Sequence, residues 1–128
     1  MKAKLNGRRR EGIGNNLLID EYPLLVLPSL AKEIGLNEAI VLQQIQYWLG
    51  KKLNYEDGRY WVYNTYEGWA EQFPFWSVST IRRILGKLEK DGLVISGNYN
   101  KMGADRTKWY SIDYEKLSEL VQSNVKSE

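Results

Sequence analysis

The chain has 128 residues, 43% hydrophobic and 12% aromatic, with a formal net charge of +2 and neither cysteine nor histidine. This is enough apolar material for one folded domain, and it excludes disulfides, cysteine or histidine metal sites, thiol nucleophiles and any triad built on an imidazole base. Acidic residues are scattered, with Asp20-Glu21 and Glu56-Asp57 the only adjacent pairs, so no catalytic site, no metal and no cofactor is expected. No apolar run approaches the length of a membrane span, which points to a cytoplasmic protein with no membrane partner.

Residues 1–10 carry +5 through Lys2, Lys4, Arg8, Arg9 and Arg10, and residues 1–16 contain almost nothing apolar. Such a stretch reads as a disordered basic arm whose Arg8, Arg9 and Arg10 can reach phosphates or a minor groove. "LLIDEYPLLVLP" is apolar but interrupted by Pro23 and closed by Pro28, which suggests an extended segment on the core, an edge strand. Pro28 then opens a short helix that stops at Gly35. Asn37 is the expected N-cap of "EAIVLQQIQYWLGKK", in which Val41, Leu42, Ile45, Trp48 and Leu49 share one face. Ile40, Gln43, Gln44 and Tyr47 fall on the other side, where Ile40 and Tyr47 read first as scattered surface apolars and second as a candidate partner contact.

"NYEDG" reads as a turn and "RYWVYN" as a short strand. Thr65 can cap a helix running through Trp69 and Ala70 to Phe73, where Pro74 follows. Ser77 caps the next helix, whose Ile81, Ile84, Leu85 and Leu88 form a buried stripe opposite Ser79, Arg83, Gly86 and Lys90. Thr80, Arg82 and Lys87 flank that outer face, Trp76 has the offset of a hydrophobic staple against Ile81, and Gly92 supplies the stop. "LVISGNYN" and "RTKWYSI" are expected to pair as strands around "KMGAD", with Gly103 at positive φ in the turn. Asp113 caps a last helix, "YEKLSELVQ", with Leu117, Leu120 and Val121 as its apolar stripe.

Helix, strand, helix, short turn, helix, hairpin is the order of a winged helix-turn-helix, a mainly α domain with a small antiparallel β wing. The wing domain would occupy residues 17–112, between the arm and a C-terminal helix and tail at 113–128. Segments 77–92 and 101–108 carry +2 each, which with the arm leaves −7 on the remainder. A helix entering the major groove needs a small polar N-terminal end and cations that reach bases and phosphates. Ser77, Ser79, Thr80, Arg82 and Arg83 fit that need, with Lys87 and Lys90 further along and Lys101, Arg106 and Lys108 on the wing. The plain alternative is a solvated face with i to i+4 ion pairs. Trp48, Trp61, Trp69 and Trp109 fall at packing positions rather than in a base-stacking array; Trp76 and Tyr99 lie nearer the presumed DNA surface.

"YWVYNTYEGW", "FPFWS", "TIRRIL", "LEKDGLV" and "DRTKWYSID" resemble the N-terminal winged-helix domain of replication proteins from phages and mobile elements of Gram-positive bacteria, relatives of the DnaD-type replisome organisers. "LPSLAKEIGLNEAIVLQQIQYWL" is similar to the segment preceding it, so the resemblance spans roughly residues 17–115. It implies binding of double-stranded origin DNA during replication initiation, without catalysis, alongside replisome proteins such as a helicase or its loader. Such proteins are usually longer; the resemblance leaves open whether the chain is an isolated N-terminal part, and it leaves helicase loading to other regions or partners. A homodimer is consistent with the role, although no heptad argues for one. Two other functions share the outline: a replisome interaction module and a transcriptional regulator.

Overall fold

The computed structural model describes residues 17–103 and 105–126; the basic arm, with Arg8, Arg9 and Arg10, lies outside the described residues. Residues 17–27 form no strand, contrary to the edge-strand expectation. Pro23 and Pro28 each lack a ladder donor, and Leu24 instead packs against the core while Leu18, Leu25 and Leu27 stay exposed.

Pro28 opens helix α1 (Pro28–Ile34), and the Gly35 N–H closes it on the Ala31 carbonyl at 2.8 Å. Gly35, at φ 110°, is also the N-cap of α2 (Leu36–Leu49). Asn37 is therefore not the cap: the Gly35 carbonyl already accepts from Ala39 N at 2.9 Å, which places the start before Asn37. The inward face of Val41, Leu42, Ile45, Trp48 and Leu49 is buried as expected. Gln44 is buried too, against the outward expectation, because α3 covers that side. Its Nε2 donates to Gln72 Oε1 at 2.6 Å, and Trp48 Nε1 donates to the same oxygen at 2.8 Å. Ile40 and Tyr47 are partly buried against the same core.

The expected turn at 54–58 holds a further strand. β1 (Asn54–Glu56) pairs antiparallel with β2 (Arg59–Asn64), and only Asp57 and Gly58 turn, at φ 51° and 80°. Two consecutive positive φ values give the two-residue turn whose twist suits a hairpin, and Asp-Gly is its usual sequence. β2 also pairs with β4 (Lys108–Ile112), which pairs with β3 (Val94–Gly97), giving the order β1-β2-β4-β3. The described residues thus form an α+β fold of five helices and one four-stranded antiparallel sheet. Val62, Val94, Tyr110 and Ile112 join the helices in one core, and among the described residues no helix is long and apolar enough to cross a membrane.

Between the hairpins run α3 (Tyr66–Gln72) and α4 (Val78–Lys90). Thr65 Oγ1 accepts from Gly68 N at 3.0 Å and Ser77 Oγ from Thr80 N at 3.1 Å, so both expected caps are present. At the far end of α4 the Gly92 N–H reaches Glu89 O and the Leu93 N–H reaches Leu88 O, both at 3.1 Å. That pair is a Schellman motif, with Gly92 at φ 81° as its left-handed residue. The strands around 101–105 are shorter than expected and the connection longer, covering residues 98–107. Asparagine and aspartate side chains take over the backbone there and end the ladder: Asn98 Oδ1 accepts from Asn100 N, and Asp105 Oδ1 from Thr107 N, each at 2.9 Å. With so long a connection no tight reversal is needed at Gly103, whose φ is not in the left-handed range. Asp113 caps α5 (Tyr114–Lys126) through Lys116 N at 3.0 Å; Leu117 packs on the core, while Val121 is exposed.

Candidate nucleic-acid interface

Helix α4 divides cleanly into two faces. Ile81, Ile84, Leu85 and Leu88 are at most 1% exposed, held by α2, α3 and β3, so the register of the opposite face is fixed. Ser79, Arg83, Gly86 and Lys90 are all exposed there, with Arg82 and Lys87 exposed beside them. A glycine inside a helix costs roughly 0.5–1 kcal/mol against alanine. A Cβ on Gly86 would meet no atom within 4 Å, so packing does not require the glycine. What it does provide is a gap in the outer face through which the helix backbone can be approached closely.

The N-terminal end of α4 is hydroxyl-rich. Ser77 Oγ, besides capping, donates to Thr80 Oγ1 at 3.0 Å, and both residues sit at the surface. The stretch 73–88 contains three cations, Arg82, Arg83 and Lys87, and no carboxylate. The charges nevertheless differ in what already holds them. Lys87 pairs with Asp91 at 3.0 Å, both about half exposed, an ordinary surface i to i+4 pair of small energetic weight. The Asp91 hydrogen bond holds the Lys87 pKa above the ordinary lysine value. The Arg82 guanidinium lies 5.0 Å from the Tyr66 ring centre, within cation–π reach. Among the described residues no carboxylate pairs with Arg83 or Lys90.

On the β3–β4 side, Lys108 turns inward. Its Nζ meets Glu89 Oε2 at 3.1 Å and lies 5.8 Å from the Tyr66 ring centre, tying β4 to α4 and α3. Burial works against the Lys108 charge, but the hydrogen bond and field of Glu89, with Tyr66 behind them, more than restore it, and its pKa stands above the ordinary value. Lys101 and Arg106 are exposed on the loop. The loop is anchored on the sheet by Asn100: Nδ2 donates to Thr107 O at 2.7 Å, and Oδ1 accepts from Trp109 Nε1 at 2.8 Å. Tyr99 packs 5.2 Å from both Trp61 and Trp109, and its hydroxyl donates to Asp57 Oδ2 at 2.5 Å. The Asp57 hydrogen bond raises the Tyr99 pKa. Tyr99 is therefore a packing residue, and Trp61, Trp69 and Trp109 are buried as the periodicity required. Trp76 is partly buried on the core.

Ser77, Ser79, Thr80, Arg82, Arg83, Lys87 and Lys90 thus share one helix, and Lys101 and Arg106 one loop, whereas Lys108 is half-buried and paired with Glu89. Two features escaped the sequence reading. Asn100 as the loop's anchor depends on a partner in β4. Tyr66 as the ring beneath two cations depends on α3, α4 and β4 meeting. Among the described residues no three Asp, Glu, His or Cys side chains cluster as metal ligands. No protein family, curated protein or solved structure matches the chain.

Proposed function

We propose that this chain is a winged helix-turn-helix domain that binds double-stranded DNA, with α4 in the major groove and the β3–β4 loop as the wing, and that it serves replication initiation. The observation that carries the reading is the outer face of α4, where Arg83 and Lys90 have no carboxylate partner among the described residues, Gly86 opens the surface, and Ser77 and Ser79 keep the leading end small. Hydroxyls and arginines in that arrangement suit phosphate and base-edge contact. The replication role rests on the family resemblance of the sequence, and footprinting a bound site at an origin rather than a promoter separates it from transcriptional control.

The direct test is fluorescence anisotropy with duplex DNA across salt concentrations. Arg83→Ala should weaken binding by about 1–3 kcal/mol with little change in stability, since the side chain leaves the core untouched. Removal of residues 1–10 should lower affinity for all sequences alike and flatten the salt dependence. No binding by wild type at low salt, or equal binding by all three proteins, sinks the proposal.

One observation favours the interaction-module reading. An apolar cleft of about 400 Å³ runs between α1, α2 and α5, lined by Leu27, Leu30, Leu42, Leu117 and Val121. A helicase, a loader or a second copy of the chain are the partners that reading names.

A further inference from the structure

The chain has two phenylalanines, and they lie two residues apart in the turn between α3 and α4. Phe73 is fully buried; Phe75 keeps 58% of its surface exposed, two residues before the N-cap Ser77. The exposed ring is braced. It stands edge-on to Trp76 at 4.8 Å and to Phe73 at 6.3 Å, Trp76 lies 5.3 Å from Phe73, and Trp76 N closes the turn on Phe73 O at 3.1 Å. Exposed tyrosines such as Tyr114, whose hydroxyl bonds Gln46 at 2.6 Å, have a polar group to place at the surface. Phe75 has none. A held aromatic ring also gives up little conformational freedom when it meets a partner.

The stretch of chain that carries Phe75 narrows the kind of partner. Residues 73–88 lack any carboxylate and carry Arg82, Arg83 and Lys87 after the hydroxyls of Ser77, Ser79 and Thr80. A flat apolar face joined to negative charge is the chemistry of a nucleobase on its phosphate backbone. In intact duplex the base faces are covered by their neighbours, so a side-chain ring can stack only where a step is opened. We propose, on the basis of the DNA-binding reading above, that Phe75 is a base-stacking residue that engages a base at a locally opened step, and that the domain prefers such DNA over intact duplex.

The test compares wild type, Phe75→Ala, Phe75→Leu and Phe75→Tyr by anisotropy on a perfect duplex and on the same duplex with a short mismatched bubble holding 2-aminopurine. Wild type should bind the bubble about tenfold more tightly and quench the 2-aminopurine, as expected for one base–aromatic stack. Phe75→Ala should bind both DNAs alike, Phe75→Leu should do the same while keeping the apolar contact with Trp76, and Phe75→Tyr should retain the preference. Equal wild-type affinity for the two DNAs overturns the inference and leaves duplex binding standing, whereas no wild-type binding to either overturns both. A bubble preference that survives Phe75→Ala and Phe75→Leu assigns it to the flexibility of the opened DNA and overturns the role of Phe75. Lost self-association in these variants, with DNA binding unchanged, overturns it in favour of a protein contact.

Discussion

Truncating Leu88 to alanine tests which side of α4 faces inward. Leu88 is 1% exposed at the C-terminal end of the buried stripe, between the helices and β3, and its carbonyl accepts the Leu93 N–H that closes the Schellman motif. The substitution keeps that backbone bond and deletes three side-chain carbons. At about 0.8 kcal/mol per buried methylene the transfer loss alone is roughly 2.4 kcal/mol. Ile84, Leu85 and Val94 belong to the same core and are fixed in a helix and a strand, so the space cannot fully collapse. A cavity contribution brings the expected loss to about 3–4 kcal/mol, within the range of buried leucine truncations. For a domain of this size that lowers the melting temperature by roughly 10–15 °C, measurable by circular dichroism, with guanidinium unfolding at an unchanged slope as the second reading. DNA affinity of the folded variant at low temperature should match wild type. Arg83→Ala should be nearly silent in the same melt, and the double variant should show the Leu88 loss alone, since the two side chains occupy opposite faces. An unchanged melting temperature for Leu88→Ala would refute the assignment of the buried stripe, and with it the placing of Arg83 outward.

Tyr110 is fully buried and, among the described residues, no group meets its hydroxyl in good hydrogen-bond geometry, the Trp69 indole acting on it only weakly, so Tyr110→Phe should leave the melting temperature level or raise it; a loss of more than about 1 kcal/mol would mean the hydroxyl is bonded after all. Burial, with Tyr66 and Glu89 adding to it, pushes the Tyr110 pKa well above the ordinary 10.0. The folded state then keeps a proton that the unfolded chain releases, so stability is intact below about pH 10 and falls as pH rises beyond it. Tyr110→Phe should shrink that fall without abolishing it, because Tyr99 and Tyr114 are also raised; an identical alkaline decline in the variant would contradict the burial argument. Asn100→Ala removes two hydrogen bonds and orphans Trp109 Nε1, for a cost of about 1–3 kcal/mol. It should speed amide exchange in residues 98–107 and raise the off-rate from DNA; unaltered exchange would show that the loop is held by something else.

Elements whose signals are local were legible in the sequence. Ser77, Thr65, Asp113, Pro28 and Gly92 mark helix ends through chemistry confined to one turn, and all five lie where expected. The stripe of Ile81, Ile84, Leu85 and Leu88 was legible because an amphipathic helix prints its burial at a period of 3.6. Elsewhere the deciding atoms are distant in the chain. Gln44 looks like a surface residue until α3 supplies Gln72, 28 positions away, to receive its amide. Lys108 looks like a wing cation until Glu89 and Tyr66 meet it. Strand β1 is hidden in the sequence although Asp57-Gly58 is a recognised hairpin signal: with only three residues it reads as part of the turn. The β3–β4 connection is longer than composition suggests because Asn98, Asn100 and Asp105, which suit a strand end or a turn, use their side chains to bond backbone.

The charges behind the DNA-binding proposal also fit a solvated helix, and the contacts within α4 bear on both readings. A face built only for solubility would pair its cations with carboxylates at i+4, and one pair does so: Lys87 with Asp91. Glu89 serves the interior instead, through Lys108. Four residues on from Arg83, by contrast, stands Lys87, a like charge, and four residues before it stands Ser79. Neither neighbour can offset the arginine, and like charges at that spacing cost a few tenths of a kcal/mol in an isolated helix. Gly86, one turn along, adds a propensity cost that no neighbouring atom demands. Two unfavourable local choices on a single exposed face, beside hydroxyl-bearing residues at its leading end, are not what solubility alone selects, and under the DNA-binding proposal an anionic partner approaching the backbone closely would offset both.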